Sequence, residues 1–165
     1  MKRIGLISDT HGFIDPKIYE FFSNCDEIWH AGDFGNLETV EKLGSFKPLR
    51  GVYGNIDCHK VRAVFKKHCK FTLEGVKVWI THIGGYPGHY DKSVKPKIFT
   101  NPPTLFISGH SHILKVIYDE KNKCLHINPG AAGNHGFHHV KTILRFIIED
   151  GRIKELEIME IPRMK

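Results

Sequence analysis

Five apolar runs in this chain stop at a loop carrying glycine together with Asp, Asn or His, and that repetition constrains the fold more than any other feature. The first is Ile4-Gly5-Leu6-Ile7, followed directly by Ser8-Asp9-Thr10-His11-Gly12. A short buried strand ending in Asp-x-His presents two metal-competent side chains at the lip of a sheet, where ligand chemistry collects in open α/β folds. One such pair is a weak signal. Its weight comes from the others. Glu27-Ile28-Trp29-His30 runs into Ala31-Gly32-Asp33, and the run 49–52 leads to Tyr53-Gly54-Asn55-Ile56-Asp57. The alternating strand 76–80 exits at Thr81-His82, and the apolar strand 104–108 stops at Gly109-His110-Ser111-His112.

Helix signals separate the first three runs. Asp15-Pro16 reads as N-cap and first helical residue, with Ile18, Phe21 and Phe22 on one face. Asn36 caps a second helix with Leu37, Val40 and Leu43 buried and Gly44 at its end. This β-loop-α-β-loop-α-β order implies parallel strands with right-handed crossovers. The pattern then changes to hairpins: 71–73 with 76–80 around Glu74-Gly75, 116–118 with 125–127, and 143–148 with 153–158 around Asp150-Gly151. Gly84 to Gly88 reads as a loop, followed by a basic, partly helical segment. About ten strands are too many for one compact sheet at this length. The expected fold is α/β: two facing mixed β-sheets flanked by helices, in a single domain spanning 1–165.

Composition narrows the function. Cys25, Cys58, Cys69 and Cys124 form no C-x-x-C pair, which argues against a zinc ribbon and leaves semi-buried thiols as the plain reading. The formal charge of +6 permits nucleic-acid binding, but the cations are scattered. Their densest run, Lys66-Lys67-His68-Cys69-Lys70, falls on an expected edge strand, where lysines block aggregation. No apolar run approaches the roughly 20 residues that span a bilayer. Met1 enters a strand at once, so a cytoplasmic protein without a signal peptide or membrane association is expected. The 12 histidines are a high count for a chain this short, and neutral imidazole is the commonest metal ligand.

Each strand-end residue alone has a plain explanation: Asp9 or Asp33 as a helix cap, Asn55 as a turn residue, His82 as a core histidine. Together Asp9, His11, Asp33, Asn55, His82, His110 and His112 converge if their strands run the same way in two facing sheets. Seven such groups suit two metals roughly 3.5–4 Å apart that share a carboxylate. Imidazole mixed with carboxylate and amide points to manganese, iron, zinc, cobalt or nickel rather than calcium.

In order, Asp9-x-His11, Gly32-Asp33, Gly54-Asn55-x-Asp57, Thr81-His82 and Gly109-His110-x-His112 resemble the calcineurin-like metallophosphoesterases, in particular their small single-domain bacterial and archaeal phosphodiesterases. The likeness extends through Asn128-Pro129-Gly130. It implies a four-layer αββα sandwich. Asp9, His11 and His112 would hold one metal, Asn55, His82 and His110 the other, and Asp33 would bridge them. Manganese leads among the candidate metals. A bridging hydroxide would attack phosphorus in line, with Asp33, Asn55 and His82 at the reacting centre.

Two divalent cations with two carboxylates and one hydroxide leave an excess of about one positive charge, matched to a phosphodiester anion. Many members of the family carry a histidine after the motif asparagine as proton donor. This chain has Ile56 there, which cannot donate, so the donor is open. Asp57 is expected to orient a ligand, and His30 to sit beside the site or in the core. His89, with Tyr86 and Tyr90, and His135, His138 and His139 lie on loops that could approach substrate.

The expected activity is hydrolysis of a small or nucleotide-type phosphodiester. A phosphomonoesterase or a nuclease on the same site remains open, although no nucleic-acid-binding motif supports the latter. A non-catalytic scaffold like the retromer subunit of this fold is the alternative from another class, and loss of ligands would mark it. A homo-oligomer is compatible with the sequence.

Overall fold

The computed structural model describes residues 1–164. Its elements follow in the order β1 (Lys2–Ile7), α1 (Pro16–Phe21), β2 (Glu27–His30), α2 (Leu37–Phe46), β3 (Leu49–Gly51), α3 (His59–Val64), β4 (His68–Leu73) and β5 (Val76–Thr81). Then come β6 (Gly85–Tyr86), β7 (His89–Tyr90), α4 (Lys95–Thr100), β8 (Leu105–Ile107), β9 (Leu114–Asp119), β10 (Cys124–Pro129), β11 (Val140–Glu149) and β12 (Arg152–Pro162). One sheet has the order β12-β11-β1-β2-β3, with β1, β2 and β3 parallel. The other has the order β4-β5-β8-β10-β9, with β5, β8 and β10 parallel and an antiparallel strand at each edge.

Side-chain alternation explains the layers. In β5, Val76, Val78 and Ile80 enter the core between the sheets while Trp79 turns outward; in β8, Leu105 and Ile107 point in and Phe106 out. Strands covered on both faces read as continuous apolar runs. Ile4, Leu6 and Trp29 meet them from the first sheet. Ile18, Val40, Leu43 and Val61 of the first three helices pack on Ile7, Ile28 and Ile143 outside that sheet. Val94 and Ile98 cover Trp79, Phe106 and Cys124 outside the second. Each of the large side chains fully buried here contributes about 1.5–3 kcal/mol. The fold is the expected helix-sheet-sheet-helix sandwich.

Several pieces differ from what the sequence pattern predicts. Helix α2 runs past Gly44 to Phe46, because a side chain at Gly44 would face open space and its backbone needs no left-handed turn. Residues 85–90 form a two-stranded hairpin rather than a plain loop, and α3 follows Asp57 without an apolar repeat long enough to announce it. The basic run leads into β4, which is an edge strand, and Lys70 Nζ lies 4.0 Å from the Trp79 ring centroid. All four cysteines are free thiols. No helix among the described residues is long and apolar enough to cross a membrane.

Asp15 caps α1 by accepting from Lys17 N at 3.0 Å, and its other oxygen meets the buried ammonium of Lys141 at 2.9 Å. Removing the carboxylate leaves that charge only Asn134 Oδ1 at 3.3 Å and the Phe13 ring face at 4.9 Å. Asp15→Ala is expected to lower unfolding free energy by about 2–3 kcal/mol, discounted for Asp15's partial exposure and read from urea midpoints.

Candidate metal centre

Backbone hydrogen bonds join the loop after β1 to the loop after β2, and the loop after β5 to the loop after β8. Asp9 N donates to Gly32 O at 3.0 Å, His11 N to Asp33 O at 3.1 Å, and Gly109 N to His82 O at 3.0 Å. The stitching bends the backbone. Asp9, His11, Asp33, His110 and His112 all have φ between 47° and 71°. Non-glycine residues adopt this left-handed region at a cost of roughly 1–2 kcal/mol each, least for Asp, Asn and His. Five strained positions in one site, over-determined by their surroundings, are typical of functional centres.

Two ligand groups result. Asp9, His11 and His112 offer ligand atoms within 4.8 Å of one another, and so do Asp33, His82 and His110. Asp33 Oδ2 joins them, lying 3.2 Å from His82 Nε2 and 3.5 Å from His11 Nε2. Asp9 Oδ1 lies 3.2 Å from His112 Nε2, 3.8 Å from His11 Nε2 and 3.9 Å from His82 Nε2. Asn55 Oδ1 approaches His110 Nδ1 at 3.1 Å. The seven strand-end residues therefore gather at one place.

A second set of residues holds these groups in position. Ser8 Oγ donates to Asp9 Oδ2 at 2.6 Å and His110 N donates to the same oxygen at 3.1 Å, which turns Oδ1 toward the imidazoles. Ile56 N donates to Asp33 Oδ1 at 3.1 Å, so Oδ2 is the free oxygen. His82 Nδ1 lies 2.7 Å from Ala31 O, and because a carbonyl only accepts, Nδ1 carries the proton and Nε2 offers its lone pair. His30 is fully buried and stacked on Phe34. Its Nδ1 accepts from Gly32 N at 3.0 Å, so its Nε2–H donates to Thr10 Oγ1 at 2.9 Å. Burial pushes its pKa down to about 3, keeping it neutral.

Asp57 acts on two candidate ligands by way of their loops. Its carboxylate accepts from Gly54 N at 2.8 Å, Gly35 N at 2.9 Å and Phe34 N at 3.2 Å, clipping the Asp33 loop to the Asn55 loop through backbone. His135 stacks on His11 at 4.8 Å, and His138 donates Nε2–H to Gly133 O and meets the His112 ring edge-on at 5.5 Å. His89 lies on β7 with its ring 4.9 Å from Tyr86, and lines a cavity together with His110. Ser8 and Thr10 join this supporting set, and adjacency to Asp9 in the first motif is the sequence signal they carry.

Glycine 32 shows how close the packing is. At φ 102° a Cβ there would lie 2.6 Å from His82 Nδ1. Gly32→Ala combines backbone strain with a collision against a candidate ligand. It is expected to cost metal affinity by about 10- to 100-fold, measured by metal-buffer titration.

The donor chemistry fits transition metals. Burial works against ionising Asp9, but the facing imidazoles of His11 and His112 hold its carboxyl well below the usual range. Burial likewise opposes Asp33, and His82 overrides it to lower that pKa. Asp9 Oδ1, His11 Nε2 and His82 Nε2 are buried without a hydrogen-bond partner in the protein. Buried polar atoms are rarely left so, and three that converge beside two carboxylates are what a cation would complete. Imidazole with carboxylate suits manganese, iron, zinc and their neighbours.

Residues 1–151 match the family model of the calcineurin-like phosphoesterase superfamily domain. The chain belongs to that superfamily. It is 28% identical over 166 residues to a probable metallophosphoesterase of Methanocaldococcus jannaschii, a match covering 96% of this chain and 80% of the relative. A solved structure described as a novel archaeal phosphodiesterase superposes with TM-score 0.76 at 23% identity, covering 96% of this chain and 99% of its own. Wild-type Vps29 of Entamoeba histolytica complexed with zinc superposes with TM-score 0.74 at 14% identity, covering 98% and 99%. Membership of the superfamily makes the chain a metal-dependent phosphoric ester hydrolase. The superposed structures, all below 25% identity, speak for the fold alone.

Proposed function

We propose that the enzyme is a binuclear phosphodiesterase acting on small diesters, with Asp9, His11 and His112 holding one transition metal, Asn55, His82 and His110 the other, and Asp33 shared. The position of Asp33 Oδ2 between two imidazoles from different ligand groups carries this reading. Bound metals would supply Lewis acidity and water with its pKa lowered to about 7. The protein's own part is to fix the donors in advance, through Ser8, Ile56 N, Ala31 O and the Asp57 clip. Manganese is the metal we favour.

Two cavities flank the site on either side of Ile83, which lines both, and a diester has two esterifying groups to place. One, of about 440 Å³, is bounded by Asn55 and His82 and lined by Arg62, Lys67 and Lys92 with Asp91. The other, of about 190 Å³, is bounded by His110. Small size favours a low-molecular-weight diester over a polymer. Ile56 is 45% exposed beside Asp33 and offers no proton, which favours diesters with good leaving groups. A non-catalytic scaffold would not require all seven donors.

With manganese, bis-p-nitrophenyl phosphate should be hydrolysed faster than p-nitrophenyl phosphate; the reverse order would overturn the diester reading. Protein purified without chelator should hold close to two transition-metal ions per chain. Adding them back after EDTA at about 100 times the dissociation constant should stabilise the fold by about 2.7 kcal/mol for each site filled, seen as a higher Tm.

A further inference from the structure

Several exposed cations of this protein are ion-paired: Lys42 with Glu38, Lys123 with Glu120 and Lys154 with Glu149. Those lining the larger cavity are not. Arg62, Lys67 and Lys92 are exposed, so a ligand can reach them, and among the described residues none of the three is ion-paired with a carboxylate. Arg62 is held in place. Its Nε donates to Asp57 O at 2.8 Å and its Nη2 to Asn55 O at 3.3 Å, which sets the guanidinium beside a candidate metal ligand and leaves Nη1 without a protein acceptor among the described residues. Asp91, the one carboxylate in this lining, is engaged by Ser93: its Oδ1 accepts from Ser93 N at 2.9 Å and from Ser93 Oγ at 2.6 Å. Those bonds, with Lys92 and Lys67 adding to them, hold its carboxyl below the usual carboxylate range.

Three cations against one carboxylate leave about two positive charges around the cavity. The excess continues outward. Burial lowers the His68 pKa, and Lys67, Lys70 and Lys97 lower it further, so these ammoniums stand close enough to repel a proton from its ring. Like charges gathered without counter-charge cost stability, and an anion bound among them relieves that cost. The smaller cavity differs. Asp91 lines it as well, its single lysine, Lys115, has Nζ 3.2 Å from the Tyr86 ring centroid, and with its histidines neutral no charge excess results. Tyr53, whose ring faces the Arg62 guanidinium at 4.6 Å, and Ile83 give the larger cavity apolar surface too, suited to the carbon skeleton between two anions.

We infer that the larger cavity, beside Asn55 and His82, is an anion subsite: Arg62, Lys67 and Lys92 hold a second anionic group, a phosphate or carboxylate, borne by one alcohol of the substrate diester. The inference rests on the phosphodiesterase reading and adds a substrate class, diesters charged both at the scissile phosphate and at one remote group. Arg62 presents planar donors that match an oxyanion, and the two lysines act as flexible point charges. Hydrogen bonds between ionised partners are roughly twice as strong as neutral ones, so the remote anion adds binding that an uncharged alkyl group cannot replace. The three residues bind and orient the remote end of the substrate and take no part in bond breaking.

Phosphonopropyl and phosphonopentyl p-nitrophenyl phosphates test this against the propyl and pentyl esters, because all share a leaving group and the phosphonate's C–P bond is not hydrolysed. The manganese-loaded wild type should prefer a charged ester over its uncharged counterpart by at least about tenfold in kcat/KM, mainly through KM. Raising salt from about 0.1 M to about 1 M should remove most of that preference, since the screening length falls from about 10 Å to about 3 Å. Combining Lys67→Gln with Lys92→Gln should bring the ratio to within about threefold of one, while Lys115→Gln in the smaller cavity should leave the ratio as it is. A wild-type ratio near one, a ratio insensitive to salt, a preference that survives the double variant, or one lost in Lys115→Gln alone overturns the subsite and leaves the phosphodiesterase reading standing. Hydrolysis of no ester overturns that reading instead. In that event, or should the double variant fail to fold, amide resonances of the zinc-loaded wild type decide. Propylphosphonate should shift those of Arg62, Lys67 and Lys92; shifts absent from these residues overturn the subsite.

Discussion

Asp33→Asn is expected to lower turnover of a p-nitrophenyl diester by at least about 10²-fold and to take metal content from about two ions per chain to one or fewer. The substitution is nearly isosteric. Asn keeps Oδ1, which accepts from Ile56 N at 3.1 Å, so the loop retains its anchor. The atom that changes is Oδ2, which faces His82 Nε2 at 3.2 Å and His11 Nε2 at 3.5 Å. An amide nitrogen there offers no lone pair to a cation, and one of the two negative charges in the donor set is gone. Paired measurements of metal content and unfolding midpoint separate a lost ligand from a lost fold. A variant that keeps two ions and activity within a few-fold of wild type would sink the bridging assignment.

Asp57→Ala should have the largest effect on stability, about 3–5 kcal/mol in urea titrations. Three backbone N–H groups, of Phe34, Gly35 and Gly54, lose their acceptor together. An unpaired buried donor costs about 1–3 kcal/mol, and the three sit too close to add fully. Metal affinity should fall by about 10- to 100-fold as well, because Phe34 follows Asp33 and Gly54 precedes Asn55. Asp57→Asn should recover little, since its NH₂ would face N–H groups. A stability loss below about 1 kcal/mol would mean that the clip is redundant.

Much of this architecture was readable in the sequence because the central strands are buried on both faces. Apolar runs marked β1, β2 and β8, alternation marked β5, and the polar residues after them marked the edge where the loops meet. The segments that escaped notice are held by contacts with distant residues. Tyr90 Oη bonds Asp119 Oδ2 at 2.6 Å to seat the β6–β7 hairpin, a pairing across 29 positions that no local pattern announces. Likewise, the motif suggests that Asp57 orients a ligand, but that it works through three backbone N–H groups depends on where the Asp33 loop lies in space.

The left-handed backbone at Asp9, His11, Asp33, His110 and His112 has a consequence for anyone seeking to retune this centre. Re-engineering usually treats ligand identity as a side-chain choice, exchanging imidazole for thiolate or lengthening a carboxylate. Here the main chain also votes. Glutamate or cysteine at these positions must adopt the same dihedrals without the local ease that Asp and His have there, at a cost of roughly 1–2 kcal/mol for each replacement. Several exchanges at once would consume a sizeable part of a typical domain's stability. The alphabet open to evolution at these five sites is therefore short, and drift toward another metal meets its first resistance in the loops rather than in the coordination sphere.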